Sequence, residues 1–189
     1  MTSFLQSLAL PAYVFSKPAA AILLPLSLGN GIGIATRPDK SKQRYRQLKQ
    51  PPLNPPAWLF GPVWTCLYAA MGYASWRAWN TGINSFSLET VELTKTGAAL
   101  YTIQLGLNLA WMPLFFGMER PIAATVDIIA LLGTNAYLTY VWSKVDTVAA
   151  WTMVPYLGWT CFATYLCAGC GYLNNGDFSK VPRKGAKAN

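Results

Sequence analysis

Cysteine supplies the most reactive side chains in this sequence, and two of the four cysteines lie three residues apart. Cys167 and Cys170 form a C-x-x-C pair, the spacing of dithiol redox centres and of half a zinc site. No second pair accompanies them, and the chain has no histidine, which excludes most catalytic triads and all His-ligated metal or haem sites. The pair also lies in an apolar segment. A buried structural role is therefore favoured over redox or metal chemistry, and we expect no metal and no required cofactor.

A second kind of chemistry, the binding of a flat apolar molecule, is indicated by aromatic side chains that recur at helical spacing. Three apolar segments each carry residues at i, i+4, i+7 and i+11, which places them on one face of a helix. The three stripes are Trp64, Tyr68, Met71 and Ser75; Gln104, Asn108, Trp111 and Phe115; and Pro155, Trp159, Phe162 and Leu166. Such stripes suit a flat ligand with polar edges, but they also suit simple helix packing, which the periodicity alone favours.

The segments that carry these stripes are long and apolar enough to cross a membrane. The chain of 189 residues is 53% hydrophobic and 12% charged, about half the charge of an ordinary soluble domain. Five mostly apolar stretches, at 13–35, 57–79, 96–118, 121–142 and 147–172, predict an all-α integral membrane bundle of five transmembrane helices. They form one domain over residues 1–176, followed by a basic tail at 177–189.

The basic residues are distributed as in a membrane protein. The net charge is +8, and Lys and Arg crowd residues 37–49 and 180–187, which flank apolar spans. Five spans place both clusters on the same side of the membrane, and the positive-inside rule then puts the first loop and the C-terminus in the cytosol. We expect the lipid bilayer as a partner and no nucleic acid.

One stretch, PPLNPPAWLFGPVWTCLYAAMGY at residues 51–73, joins a run of prolines to one of the most apolar segments of the chain. Prolines are tolerated before a helix and in its first turn, where the N–H groups have no intrahelical partner. The stretch therefore predicts a rigid loop that leads into the second helix, with Trp58 at the membrane interface.

Several blocks of the sequence resemble the translocator protein family, whose members are also called tryptophan-rich sensory proteins or peripheral benzodiazepine receptors. The blocks are NPPAWLFGPVWTCLYAAMGY, LYTIQLGLNLAWMPLFFG from Leu100, and PYLGWTCFATYL from Pro155. Asp127 also stands where the family's fourth helix carries an aspartate. The blocks follow the family's order over roughly residues 15–175.

The resemblance implies a homodimer of five-helix protomers that binds porphyrins and other tetrapyrroles, sterols or benzodiazepine-type drugs in a cavity closed by the first loop. It favours the mitochondrial outer membrane, with endoplasmic reticulum and secretory membranes as the alternative. Trp111, Trp159, Ala163 and Leu166 match positions that the family uses for its ligand. The expected ligand-binding residues are Trp58, Trp64, Tyr68, Gln104, Asn108, Trp111, Phe115, Asp127, Trp159, Phe162, Ala163 and Leu166.

Polar and small residues within the spans need their own explanation. Asp127 is expected to hydrogen-bond between helices, with a proton or ligand role as the alternative. Thr102, Gly106 and Ala110 lie four residues apart and allow helices to approach closely. They fit the family's dimer contact on its third helix and fit packing within the protomer equally well.

The sequence departs from the family at the cholesterol motif of the animal members. Ala168 stands where that motif has Tyr, Tyr172 where it has Arg, and Cys167 where an Asn is usual. The departures weaken the case for animal-style sterol binding and leave the porphyrin hypothesis untouched. Ala123 also replaces a family Trp, which would enlarge or reshape the cavity.

Three function classes follow from the resemblance. We favour a membrane receptor or sensor with a role in ligand trafficking, because this needs only the aromatic cavity. An enzyme that degrades porphyrin in light is an alternative, with Trp64 and Trp159 as its candidate catalytic residues. A porphyrin or sterol transporter is the other alternative, although the chain shows no inverted repeat or paired broken helices.

Overall fold

The protein is built from α-helices. The computed structural model describes residues 2–36, 47–176 and 178, and within these residues there are seven α-helices and no strand. The helices are α1 (Thr2–Ser7), α2 (Ala12–Ser16), α3 (Pro18–Ala35), α4 (Phe60–Gly82), α5 (Leu88–Met112), α6 (Pro121–Ser143) and α7 (Thr147–Leu173). A 3₁₀ turn, Ala57–Leu59, precedes α4, and a π-helical turn, Pro113–Gly117, follows α5. The predicted all-α class is confirmed.

The five long helices, α3 to α7, correspond to the five predicted spans. By length and composition, three of the described helices qualify outright as membrane spans: α3, α6, and α5 together with its π-helical turn. Helices α4 and α7 have 23 and 27 residues. At 1.5 Å per residue each is also long enough for a hydrocarbon core of about 30 Å. The five pack side by side, and α6 packs against α5 and α7 most extensively.

Two helix boundaries differ from the predicted spans. The first span is interrupted at Lys17, which separates α2 from α3. Its backbone is extended, with φ −110° and ψ 120°, because a residue that precedes proline is driven out of the helical region. Helix α5, which corresponds to the third predicted span, begins at Leu88. This start is earlier than the apolar pattern indicates, because a helix can continue outside the bilayer in polar sequence. Its N-cap is Ser87, whose hydroxyl accepts a hydrogen bond from the Thr90 N–H.

The start of α7 is held by an ionic cluster. Asp146 is the N-cap of α7 and accepts hydrogen bonds from the Ala149 N–H at 2.9 Å and the Thr81 hydroxyl at 2.8 Å. The Arg77 guanidinium donates to the same carboxylate at 3.1 Å. Burial raises the pKa of Asp146, but the hydrogen bonds from Ala149, Thr81 and Arg77 outweigh burial, so its pKa lies below the ordinary value.

The bundle has a filled end and a hollow end. The filled end carries the α4–α5 and α6–α7 connections, and its core includes Ala78, Tyr101, Trp142 and Met153, each at most 1% exposed. Helices α3 and α4 touch closely, because a Cβ on Gly72 would lie 2.5 Å from the Ala21 carbonyl oxygen. The hollow end carries the end of α3, the start of α4 and the α5–α6 connection.

The N-terminal segment lies along α5. The Gln6 side chain donates to the Glu92 carboxylate at 2.7 Å, and the Leu10 N–H donates to the Thr102 hydroxyl at 2.9 Å. Thr102 is therefore engaged within the protomer. The other two residues of the predicted dimer contact, Gly106 and Ala110, are exposed on α5.

The described residues include all four cysteines but only part of the two basic clusters. Cys167 and Cys170 carry free, buried thiols, whereas Cys66 and Cys161 are exposed. The Cys167 sulfur lies 3.5 Å from the Thr125 hydroxyl. Most of the first basic cluster, at 37–46, lies outside the described residues, as does the C-terminal tail except for position 178.

Candidate ligand-binding cavity

A cavity of about 570 Å³ occupies the hollow end of the bundle. All five long helices contribute to its wall. Helix α3 contributes Gly29, Asn30, Gly33 and Ile34. Helix α4 adds Trp64 and Tyr68, α5 adds Asn108 and Trp111, α6 adds Ile128 and Leu131, and α7 adds Ala163, Leu166 and Cys167. Its volume falls in the range of small-molecule sites, about 300–1,000 Å³.

Seven aromatic side chains contribute to the wall. Trp111 and Phe115 are stacked, with ring centroids 4.9 Å apart and planes 19° apart. Trp64 leans over Tyr68 with centroids 5.6 Å apart. Trp58 also contributes to the wall and is 69% exposed. Flat rings at different angles give the cavity extended apolar faces.

A chain of buried hydrogen bonds supplies the cavity's polar groups. The Tyr68 hydroxyl donates to Asn108 Oδ1 at 2.7 Å, and Asn108 Nδ2 donates to the Tyr156 oxygen at 3.1 Å. The Tyr156 hydroxyl then donates to Gln104 Oε1 at 2.9 Å, and Gln104 Nε2 contacts the Met71 sulfur at 3.7 Å. Because the Tyr68 proton is already donated, its oxygen is left to accept from a bound molecule.

The position of the Tyr68 ring is set by a glycine on the neighbouring helix. The ring lies directly against Gly29 of α3, so that a methyl group at residue 29 would overlap it. At Gly33, one turn further along the same cavity wall, no atom of the described residues lies within 4 Å of the corresponding Cβ position. Tyr68 is thus fixed at both its ring and its hydroxyl.

The proline-rich stretch lies against the end of α7, beside the cavity. Asn174 pairs with both backbone groups of Lys49, at 3.0 Å and 2.9 Å. The Tyr165 hydroxyl donates to the Pro52 carbonyl at 2.9 Å, and a Cβ on Gly169 would lie 2.9 Å from the Pro51 ring. These contacts attach the end of the first loop to α7 and lead the chain directly into Trp58 and α4.

Most of the side chains expected to bind ligand meet in this cavity. Its wall includes Trp58, Trp64, Tyr68, Asn108, Trp111, Phe115, Ala163 and Leu166. Gln104 is fully buried behind the wall, where it holds Tyr156. Trp159 and Phe162 lie beside it: Trp159 packs edge-on against Phe60, and Phe162 packs against Trp159.

Asp127 is buried in α6 and does not line the cavity. Its Oδ2, and both amide atoms of Asn135 two turns further along α6, have no hydrogen-bond partner within the part of the chain that the structure describes. The interhelical hydrogen bond expected for Asp127 is therefore not formed by the described residues.

Several wall residues were not among those expected. They are Gly29, Asn30, Gly33, Ile34, Ala57, Phe60, Gly61, Met112, Phe116, Ile128, Leu131 and Cys167. Phe116 reaches the cavity because the π-helical turn after Met112 rotates the chain and sets its ring 4.8 Å from that of Phe115. The closely spaced Gly29 and Gly33 were a usable signal, because small residues mark faces that a helix presents to a neighbour or a ligand.

Comparison with known proteins agrees with this architecture. The sequence profile of the TspO/MBR family matches residues 21–173. The chain is 39% identical over 155 residues to the translocator protein homolog of Schizosaccharomyces pombe, which covers 82% of this chain and 90% of that protein. It is 38% identical over 149 residues to the translocator protein of Homo sapiens, covering 79% and 85%. It is 37% identical over 147 residues to the tryptophan-rich protein TspO of Chlorobaculum tepidum, covering 77% and 89%. The chain is therefore an integral membrane protein and belongs to the TspO/MBR family.

Proposed function

We propose that the protein is a membrane receptor or sensor that binds a tetrapyrrole, such as a porphyrin, in the cavity at the hollow end of the bundle. Membership of the TspO/MBR family supports the receptor or sensor role. The observation that carries the ligand class is the wall of the 570 Å³ cavity, which contains both the stacked rings of Trp111 and Phe115 and the neighbouring rings of Trp64 and Tyr68.

The wall matches the chemistry of a tetrapyrrole through its aromatic faces. A porphyrin is a broad apolar plane that gains stacking energy on such faces. The Tyr68 oxygen, whose own proton is donated to Asn108, adds a hydrogen-bond acceptor to this largely apolar wall. A sterol or benzodiazepine-type ligand would also find an apolar cavity here, but would use less of the stacking surface.

The same proposal extends to membrane placement and assembly. The basic clusters at 37–49 and 180–187 support a cytosolic first loop and C-terminus. The resemblance to the family's eukaryotic members favours the mitochondrial outer membrane over secretory membranes. Gly106 and Ala110 are exposed on α5 and support a homodimer through that face. Thr102 contributes less to such a contact because it is bonded to Leu10.

The test is the binding of protoporphyrin IX to detergent-purified protein, followed by the shift of the porphyrin absorption band. Wild type should saturate at micromolar porphyrin or below. Trp111→Ala removes a stacked ring of the cavity wall and should weaken binding about tenfold, the loss of roughly one aromatic contact. Trp151→Ala is the matched control, because Trp151 is 69% exposed near the start of α7, away from the cavity.

The outcomes separate binding from partitioning. Saturable binding that weakens in Trp111→Ala and not in Trp151→Ala supports the proposal. A band shift that grows without saturation, equally in all three proteins, would mean that porphyrin enters only the detergent micelle. The proposed ligand class would then be abandoned.

One observation keeps the enzyme alternative open. Trp64 lies in the cavity wall and also meets the Tyr156 ring edge-on, with centroids 6.1 Å apart. A ligand stacked there would touch an oxidisable indole that contacts a tyrosine. Illumination of the bound porphyrin tests this: loss of its absorbance in wild type but not in Trp64→Phe, at equal porphyrin occupancy, would favour photodegradation over sensing.

A further inference from the structure

A second cleft lies at the filled end of the bundle, between the start of α5 and the end of α6. Its volume is about 410 Å³, and its lining includes Glu89, Thr90 and Leu93 from α5 and Tyr137, Tyr140 and Lys144 from α6. On α5, Leu93 is separated from Asn108 of the tetrapyrrole cavity by roughly 22 Å of helix at 1.5 Å per residue. The cleft is therefore a separate site, and the ligand class proposed above does not bear on it.

Two opposite charges face this cleft without neutralising each other. Glu89 and Lys144 both line it, yet neither forms an ion pair with any residue in the described part of the chain. The Lys144 ammonium lies instead over the Tyr140 ring, 5.4 Å from its centroid. A cleft with one anion and one cation on its lining is complementary to a molecule that carries both charges.

The aromatic pair beside these charges adds a surface for a cation. The Tyr137 and Tyr140 rings are stacked, with centroids 6.4 Å apart and planes 21° apart. They are 54% and 59% exposed. Tyrosine faces attract quaternary and primary ammonium groups, and a nearby carboxylate strengthens that attraction.

The cleft also lies at the level of a lipid headgroup. Helix α6 is a membrane span that ends at Ser143, and Lys144 is its C-cap. Exposed tyrosine and lysine at the end of a span belong to the boundary between hydrocarbon and water, where their polar ends reach the headgroups. A phospholipid in the bilayer reaches this cleft without leaving the membrane.

We propose that this cleft binds the zwitterionic headgroup of a bilayer phospholipid, with the phosphate at Lys144 and the ammonium group between Glu89 and the tyrosine faces. An anionic headgroup could place its phosphate at Lys144 in the same way, but it would leave the Glu89 carboxylate without an ammonium partner. A lipid without a charged headgroup would use neither charge. Selectivity for the zwitterion therefore distinguishes this site from ordinary lipid contact along the helices.

The test is native mass spectrometry of the detergent-purified full chain with three lipids that share the same acyl chains. Phosphatidylcholine carries both charges, phosphatidylglycerol only the negative one, and diacylglycerol neither. Wild type should retain phosphatidylcholine about fivefold more than phosphatidylglycerol, the size of an interfacial cation–π or ion-pair contact. Glu89→Gln and Lys144→Ala should each reduce phosphatidylcholine retention by about the same factor and leave diacylglycerol retention unchanged.

A charge-matched pair on the same helix serves as the control. Lys95 and Glu92 bind each other at 3.0 Å, are partly exposed, and do not line the cleft. Glu92→Gln with Lys95→Ala should keep wild-type lipid selectivity, and circular dichroism checks that each variant is folded. The proposal is overturned if wild type retains phosphatidylglycerol as well as phosphatidylcholine, or if folded Lys144→Ala and Glu89→Gln retain phosphatidylcholine as strongly as wild type does.

Discussion

Substitution of Gly29 by alanine tests how the cavity wall is assembled. The Tyr68 ring lies against Gly29, and the added methyl group would overlap it. The ring would have to move and would pull its hydroxyl away from Asn108, to which it donates at 2.7 Å. Gly33→Ala is the matched control, because it adds the same methyl group one turn away on the same helix, where no described residue has an atom within 4 Å.

The two substitutions are expected to change the free energy of unfolding in opposite directions. Alanine in place of a helical glycine stabilises by about 0.5–1 kcal/mol through the unfolded chain, so Gly33→Ala should be neutral or stabilising. Overpacking at Gly29 costs about 1–3 kcal/mol, which leaves a net destabilisation of about 0–2.5 kcal/mol. For a chain of this length the melting temperature changes by about 2–4 °C per kcal/mol. Gly29→Ala should therefore melt up to about 10 °C lower than wild type, and Gly33→Ala should melt at the wild-type temperature or up to about 4 °C higher.

Thermal unfolding in detergent, followed by circular dichroism, measures both shifts. A third variant, Gly29→Ala combined with Tyr68→Ala, removes the ring that the methyl group would overlap. The cost of Gly29→Ala should then disappear, giving a coupling energy of about 1–3 kcal/mol between the two residues. Equal shifts for Gly29→Ala and Gly33→Ala, or additive effects in the double variant, would refute the contact between Gly29 and the Tyr68 ring.

Three further outcomes are expected. Tyr156→Phe leaves two buried amide groups without a partner and should cost about 2–4 kcal/mol in chemical denaturation, more than Tyr68→Phe, which orphans one. Ala163→Phe puts a ring into the cavity and should weaken porphyrin binding about tenfold, whereas Ala168→Phe, on the exposed face of the same helix, should not. The pKa of Asp146 is lowered in the folded protein, so its contribution to stability is full above the unfolded-state value of about 3.9 and is lost as the pH falls through the lower folded value. The melting temperature of wild type should therefore fall more steeply below about pH 4 than that of Asp146→Asn.

The long helices could be predicted because membrane burial imposes a simple compositional rule. A span must be apolar over about 20 residues, and the spans at 121–142 and 147–172 coincide with α6 and α7 to within a residue or so. The rule does not predict helical structure outside the bilayer. It missed the polar first turns of α5 from Leu88, and it merged α2 with α3 across Lys17, where the following proline sets the backbone.

The cavity was harder to predict because a periodic stripe gives a helix face but not what that face meets. Gln104 and Asn108 share one stripe, yet Asn108 lines the cavity while Gln104 turns to Tyr156. On α7, Ala163 and Leu166 reach the cavity, but Trp159 packs on Phe60 of the neighbouring helix. Helix rotation is decided by such contacts between neighbours, and a single sequence does not contain them.

The contrast between the two ends of the bundle predicts where the protein opens locally. Close-packed atoms around Trp142 and Tyr101 resist local opening, whereas the side chains around the cavity lack neighbours on one side and hold their helices less tightly. Backbone amides of α5 near Trp111 should therefore exchange with deuterium sooner than those near Tyr101. A ligand that fills the cavity supplies the absent neighbours, so it should slow exchange at the hollow end alone. Ligand binding would then make the hollow end, which is the part of the molecule closest to the first loop, more rigid.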